Sequence, residues 1–190
     1  MPNDFSITQS AQTIPPGEIG SLMTFPDGSQ GIVFYKNGEH GLVFSRDGEH
    51  FSWQDAKRSG DCIDVADIPN DENDYNRFIP GLGAKYTAAM RQQLGTSCRA
   101  VDWCVKHGDG WYLPSAGELA RLGAVSAMNL VVRGYLLLGD GPLPLLFGDN
   151  WWMWSSSEAN QGESIKISLM GRCKKENKTK KLRIRAMRAF

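Results

Sequence analysis

No stretch of the chain approaches the about 20 consecutive apolar residues that a membrane-spanning helix requires, so no such helix is expected. The opening residues MPNDFSITQS have neither the basic start nor the apolar run of a secretion signal, which predicts that a leader is absent or was removed before residue 1. An excess of either charge is missing too. Lys and Arg total 21, as do Asp and Glu, so no global field favours nucleic acid or an anionic bilayer. Cysteine is sparse: Cys62, Cys98, Cys104 and Cys173 form no CxxC or Cys/His cluster of zinc-ligand spacing. No structural metal or cofactor is expected, and the four are compatible with two disulfides or with four buried thiols. A chain of 190 residues with 41 % hydrophobic content can bury a core without staples, which favours one domain.

What is present divides into a polar arm, residues 1–19, broken by Pro-Pro-Gly, and a single domain over 20–190. A ten-residue echo, GIVFYKNGEH at 31–40 and GLVFSRDGEH at 41–50, joins short apolar runs to Asn-Gly and Asp-Gly. Those dipeptides tolerate the positive φ of hairpin turns, so the echo predicts a β-meander over 31–50. It also repeats a histidine, and a metal site there would need His40 and His50 with Glu39 or Glu49; turn-flanking histidines are the plainer expectation. The acidic loop DIPNDENDYN offers Asp67, Asp71 and Asp74 to a hard cation, but without the glycine and distal glutamate of an EF-hand loop it reads as solvated.

Helices are expected over 53–60 with Ser52 as cap, and over 98–108 with Ser97 as cap and Cys98, Val101, Cys104 and Val105 on one face. In GWYLPSAGELARL, Pro114 sets the entry, and Ser115 with Glu118 forms an S-x-x-E capping box. A further helix is expected from Ser126 to Leu138, then a proline-rich loop, GDGPLPLLFGDN. That loop leads into WWMWSSSEAN, where three of the six tryptophans fall in four positions. SIKISLM and KLRIRAM alternate with period two, as half-buried strands do, and GRCKKENKTKK between them is expected to be a turn region.

The succession GWYLPSAGEL, WSSSE and RIRAMRAF resembles the C-type-lectin-like domains of gut-bacterial surface proteins. It is similar also to the C-terminal domain of Legionella collagen-like adhesins and, more loosely, to retroelement-diversified variable proteins. The resemblance covers about residues 30–190 and implies an α+β fold: two main helices on a small twisted antiparallel sheet, terminal strands side by side, and a long loop region as ligand face. It makes Trp111, Pro114, Glu118, Trp154, Glu158, Arg185 and Arg188 scaffold, with Arg185 or Arg188 paired to Glu118 or Glu158. Calcium-dependent sugar binding is not implied, because neither the Asn/Asp-Pro loop motif nor the Trp-Asn-Asp strand is intact. The location it suggests is extracellular, at a cell surface or on a virion.

With the scaffold set aside, Trp151, Trp152, Asn160, Lys166, Ser168, Arg172, Lys174 and Asn177 are the expected ligand-binding residues. Exposed indole stacks on sugars or cations, and Lys and Arg complement sulfate or carboxylate. The function expected is a non-catalytic, adhesin-type module for a glycan or protein partner. Two alternatives remain: a relative of the formylglycine-generating oxidases, which share this fold and use a cysteine pair, and a structural pilin-tip or phage-fibre domain. If the C-terminal tract is retroelement-diversified through Asn codons, lysines are ineligible and Asn160, Gly162, Ser164, Ser168, Arg172, Asn177 and Thr179 are the eligible sites.

Overall fold

The computed structural model describes residues 14–138 and 152–190. The arm before residue 14, the expected loop 139–150 and Trp151 lie outside the described residues. In chain order the strands are β1 Leu22–Thr24, β2 Gln30–Asn37, β3 His40–Phe44, β4 Glu49–Ser52, β5 Trp111–Tyr112, β6 Trp152–Asn160, β7 Glu163–Ser168, β8 Cys173–Asn177, β9 Lys181–Ile184 and β10 Met187–Ala189. The helices are α1 Leu82–Leu94, α2 Arg99–Val105, α3 Ala116–Met128 and α4 Leu130–Leu138. Among the described residues the strands form two sheets, ordered β1-β2-β3-β10-β5 and β4-β9-β6-β7-β8. The architecture is α+β, with two sheets where one small sheet was expected.

The echo divides between the sheets. Its first Asn-Gly closes the β2–β3 hairpin, with Gly38 at φ 62°, a backbone angle that a side chain resists. Its second, Asp47-Gly48, instead carries the chain across to β4, which pairs with β9. The guanidinium of Arg185, between β9 and β10, holds that crossing by donating to the carbonyls of Ser45 at 2.9 Å and Arg46 at 2.7 Å. The expected meander over 31–50 is therefore a hairpin plus a strand of the other sheet, and His40 and His50 are parted by it.

The helix expected over 53–60 is not there. Ser52 ends β4 and its hydroxyl donates to Asp55, while Trp53 turns into the core and donates Nε1–H to the carbonyl of Ser155 at 2.8 Å. A tertiary bond to the tryptophan overrides a weak local cap. Helix α1 was not expected, because its inward face includes Gly83, Thr87 and Ala89, residues that give almost no apolar periodicity. Ser97 does not cap α2; its hydroxyl donates to the carbonyl of Leu94. The capping box on α3 forms as expected, Ser115 and Glu118 each satisfying the other's backbone N–H. Helix α3 runs past Ser126 and stops at Asn129, whose side chain accepts from Val131 and Val132 N–H at the start of α4.

Both sheets are buried on two sides where they carry the core. In the first, Ile32, Phe34, Leu42 and Phe44 join one apolar cluster while Val33 and Val43 join the other, the period-two alternation of a strand. In the second, Met153, Ile165 and Ile167 pack with Leu119 and Leu122 of α3, whereas Trp154 packs with Trp53, Tyr86 and Ile184. Residues 173–177, expected in a turn, are the edge strand β8. Lysines hid that strand, since an edge open to water needs no apolar alternation.

Candidate functional site

The tryptophan-serine segment is β6, and it divides in two along its length. Trp154 is fully buried and its Nε1–H points between the carbonyls of Phe51 at 3.1 Å and Lys180 at 3.2 Å. The serines knit backbone together: Ser155 Oγ donates to the Ile165 carbonyl at 2.7 Å, and Ser157 Oγ accepts from Ala116 N–H and donates to buried Asp74. Small hydroxyls suit a strand whose both faces are covered, because they can bond neighbouring groups inside the core, as Ser155 and Ser157 do, while the buried Ser156 hydroxyl has no partner among the described residues. At the N-terminal end Trp152 remains half-buried.

Around Trp152 the pairing of β6, β7 and β8 gathers cations on one face. Trp152 pairs with Ser168, Trp154 with Lys166, and Lys166 with Lys174. The ammonium of Lys166 lies 4.9 Å from the Trp152 ring centroid and that of Lys174 lies 5.5 Å away, both within cation–π range. Their roles differ. Lys166 is largely buried and tied to Glu176 at 2.8 Å, with side-chain exposures of 11 % and 17 %. Lys174 is exposed and makes no ion pair among the described residues. Arg172, also exposed, lies two residues before it in the β7–β8 turn, where Ser168 Oγ accepts its backbone N–H at 3.0 Å.

Glu176 is the residue the sequence reading passed over. Burial raises its carboxyl, but Lys166 and, at 3.2 Å, Lys180 outweigh that and leave it below the ordinary carboxylate range. It neutralises the inner lysine, so the positive charge offered to solvent at this site is that of Lys174 and Arg172. The i, i+2 spacing of Lys174 and Glu176 on one strand face was the available signal, and it requires knowing that 173–177 is a strand.

The structure does not bring the whole expected ligand set together. Trp152, Lys166, Ser168, Arg172 and Lys174 share one end of the sheet; Trp151 lies outside the described residues. Asn160 and Asn177 sit at the opposite end, where Asn160 Oδ1 accepts from Gly162 and Glu163 N–H and Asn177 Oδ1 accepts from Thr179 N–H. Both are turn residues with committed side chains. Ser168 is 7 % exposed with its hydroxyl in the turn. Of the positions eligible for diversification, Ser164 is buried with its hydroxyl bonded to the Ser157 carbonyl.

Of the residues expected as scaffold, Trp111, Pro114, Glu118, Trp154, Glu158 and Arg185 are buried and Arg188 is half-buried. Trp111 donates Nε1–H to Ser29 Oγ at 2.9 Å, and the carbonyl of buried Pro114 accepts from Ser156 N–H at 2.8 Å. Arg185 is buried among backbone carbonyls, including Leu136 at 2.9 Å, and Arg188 pairs with Asp27 at 2.7 Å. Neither reaches Glu118 or Glu158. Glu118 has backbone donors instead, and Glu158 pairs with Lys178, both fully buried.

Other candidate clusters disperse. Asp67 accepts from Gln93, Asp71 and Asp74 both face Arg77, and among the described residues no group of three or more His, Cys, Asp or Glu is arranged to hold a metal. All four cysteines are free thiols. Burial pushes every one of them up, Cys98 to about 12 and Cys173 to about 11.

His107 has a structural role. Its ring, 17 % exposed, lies 4.2 Å from Trp103 and 5.6 Å from Trp111 and bonds Asp47 in the turn between the sheets at 3.1 Å. Burial lowers its pKa, but the bond to Asp47 and that carboxylate's charge outweigh it and leave it raised. A raised histidine stabilises fully below the unfolded value of about 6.5 and loses that contribution as pH rises through the folded value. Thermal unfolding should therefore show a modest fall in Tm as pH rises above about 6.5, absent in His107→Gln. An identical slope in the variant would contradict this.

No protein-family model matches the chain, and no curated protein matches it. Among solved structures it is similar to a fimbrial protein from Bacteroides ovatus, with a TM-score of 0.58 at 14 % identity over 91 % of this chain and 49 % of that one. The chain thus spans about half the length of that protein, and the likeness is one of fold.

Proposed function

We propose that the chain is a non-catalytic, adhesin-type binding domain of C-type-lectin-like kind that uses the Trp152 face to hold an anionic partner at an extracellular surface. The observation that carries the reading is the half-buried indole with two ammonium groups over its ring, one neutralised by Glu176 and the other exposed. An indole edge supplies rigid apolar area, and Lys174 and Arg172 supply charge that complements sulfate or carboxylate. The fimbrial protein similar in fold supports a surface location. No helix among the described residues is long and apolar enough to cross a membrane.

The oxidase alternative has less support: burial raises the pKa of all four thiols, which disfavours a nucleophilic thiolate. A structural fimbrial role is favoured by the same fold likeness and differs in its outcome. A glycan-array and host-matrix screen of wild type against Trp152→Ala and Lys174→Glu separates them. Binding should be lost in Trp152→Ala and weakened about tenfold in Lys174→Glu. A wild-type protein that binds neither sulfated nor carboxylated ligands would favour the structural role.

A further inference from the structure

The free edge of β8 carries an inference that rests on the anionic partner proposed above and specifies its class. Among the described residues strand β8 pairs with β7 alone. Ser168 N–H donates to the Arg172 carbonyl at 2.8 Å and Lys178 N–H to the Gly162 carbonyl at 3.0 Å. With the register Lys166↔Lys174 and Ser164↔Glu176, those bonds fix the alternation of the antiparallel pair. Backbone groups of Arg172, Lys174 and Glu176 turn towards β7; those of Cys173, Lys175 and Asn177 turn outward. Asn177 is already satisfied, its N–H by Glu176 Oε1 at 3.1 Å and its carbonyl by Lys180 N–H at 3.0 Å. The outward groups of Cys173 and Lys175 have no partner among the described residues.

An edge of this kind pairs with an added strand unless something forbids it. The flanking charges decide which strand. Arg172, Lys174 and Lys175 line the edge with Lys180 nearby, against two carboxylates that are already engaged, Glu176 by Lys166 and Lys180 and Glu72 by Lys175. A second copy's β8 would set lysine against lysine, which is repulsive across a strand pair. An acidic segment meets the opposite situation. Its alternating side chains would face Lys174 beside Trp152 on one side and Lys175, held at 2.6 Å by Glu72, on the other.

We infer that β8 binds an extended acidic polypeptide segment of a partner protein by strand addition, through the outward N–H and C=O groups of Cys173 and Lys175. Main-chain bonds would give the affinity and the lysines the choice of sequence. The probe is a synthetic peptide of alternating Glu and Val, and the same peptide N-methylated at every second residue to remove its donors. Both are titrated against wild type, Lys175→Gln and Lys175→Pro, with a sulfated polysaccharide as the glycan arm. The unmodified peptide should bind wild type and, somewhat more weakly, Lys175→Gln. N-methylation, or Lys175→Pro, should each cost about tenfold or more, because both delete outward backbone bonds without touching the β7 ladder. Equal binding of methylated and unmodified peptides overturns the proposal, and that arm needs only the wild-type protein. If the polysaccharide binds and is lost in Trp152→Ala while the peptide ignores N-methylation, the Trp152 face stands and strand addition falls. If peptide binding depends on the edge while the polysaccharide binds wild type and Trp152→Ala alike, the Trp152 reading falls and strand addition stands.

Discussion

Glu118→Gln should lower the unfolding free energy by about 3 kcal/mol or more, although it changes neither size nor shape. Glu118 is fully buried with no cation beside it, and each carboxylate oxygen accepts two bonds. Oε1 takes Gly81 N–H and the Tyr112 hydroxyl, each at 2.8 Å; Oε2 takes Gly83 N–H at 3.1 Å and Ser115 N–H at 2.8 Å. An amide nitrogen placed in either position would face two donors, so no flip relieves the mismatch. The three backbone donors lie at the N-termini of α1 and α3, where positive backbone ends favour an acceptor. At Gly83 a side chain would come within 2.6 Å of Oε2, so the glycine is what lets the carboxylate approach. Burial pushes the carboxyl up and the four donors only partly draw it back. Urea unfolding of Glu118→Gln beside Tyr112→Phe checks this: the tyrosine variant, losing one bond, should cost about 1.5–3 kcal/mol. A glutamine variant within about 1 kcal/mol of wild type would contradict the keystone role.

Lys178→Met has the second-largest expected effect. Lys178 and Glu158 are both fully buried; the ammonium also lies 4.6 Å from the Trp53 ring centroid and donates to the Ile63 carbonyl at 3.2 Å, while Glu158 accepts Val65 N–H at 3.0 Å. The pair therefore fastens the irregular segment after β4 to the second sheet. Removing the cation leaves a buried carboxylate with one backbone donor, an outcome that costs about 3–5 kcal/mol, whereas replacing both charges is often near neutral. The double variant Glu158→Gln with Lys178→Met should recover a substantial part of the loss. Additive losses in the double-mutant cycle would show that the two groups do not act as a pair.

How legible this molecule is from its sequence depends on how local each determinant is. The α3 capping box and the β2–β3 turn are each set by residues within a few positions of one another, and both form as read. The helix expected after Ser52 and the hidden helix α1 fail for a common reason. The fate of Trp53 is set by Ser155, over a hundred positions away, and α1 turns glycine, threonine and alanine inward. A partly buried arginine at 185 or 188 was legible, but its carbonyl partners were not, because the crossing turn that supplies those of Ser45, Arg46 and Asp47 to Arg185 comes from the echo's second copy. In the candidate site, the sequence put Trp152, Lys166, Arg172 and Lys174 on one face. It could not separate Asn160 and Asn177 from them, since that requires the β6–β7–β8 register.

The measurement that bears most directly on the Trp152 face is the salt dependence of binding to a sulfated polysaccharide by wild type and Lys174→Glu. Lys174 is exposed and unpaired among the described residues, so its reversal tests the face without disturbing the core. Wild-type affinity should fall as ionic strength rises, because exposed charges are screened over about 10 Å at 0.1 M salt. Lys174→Glu should bind about tenfold more weakly at low salt, with a shallower salt slope, while its unfolding curve superimposes on wild type. Equal affinity and equal slope in the two proteins would contradict the assignment of this face as the binding site.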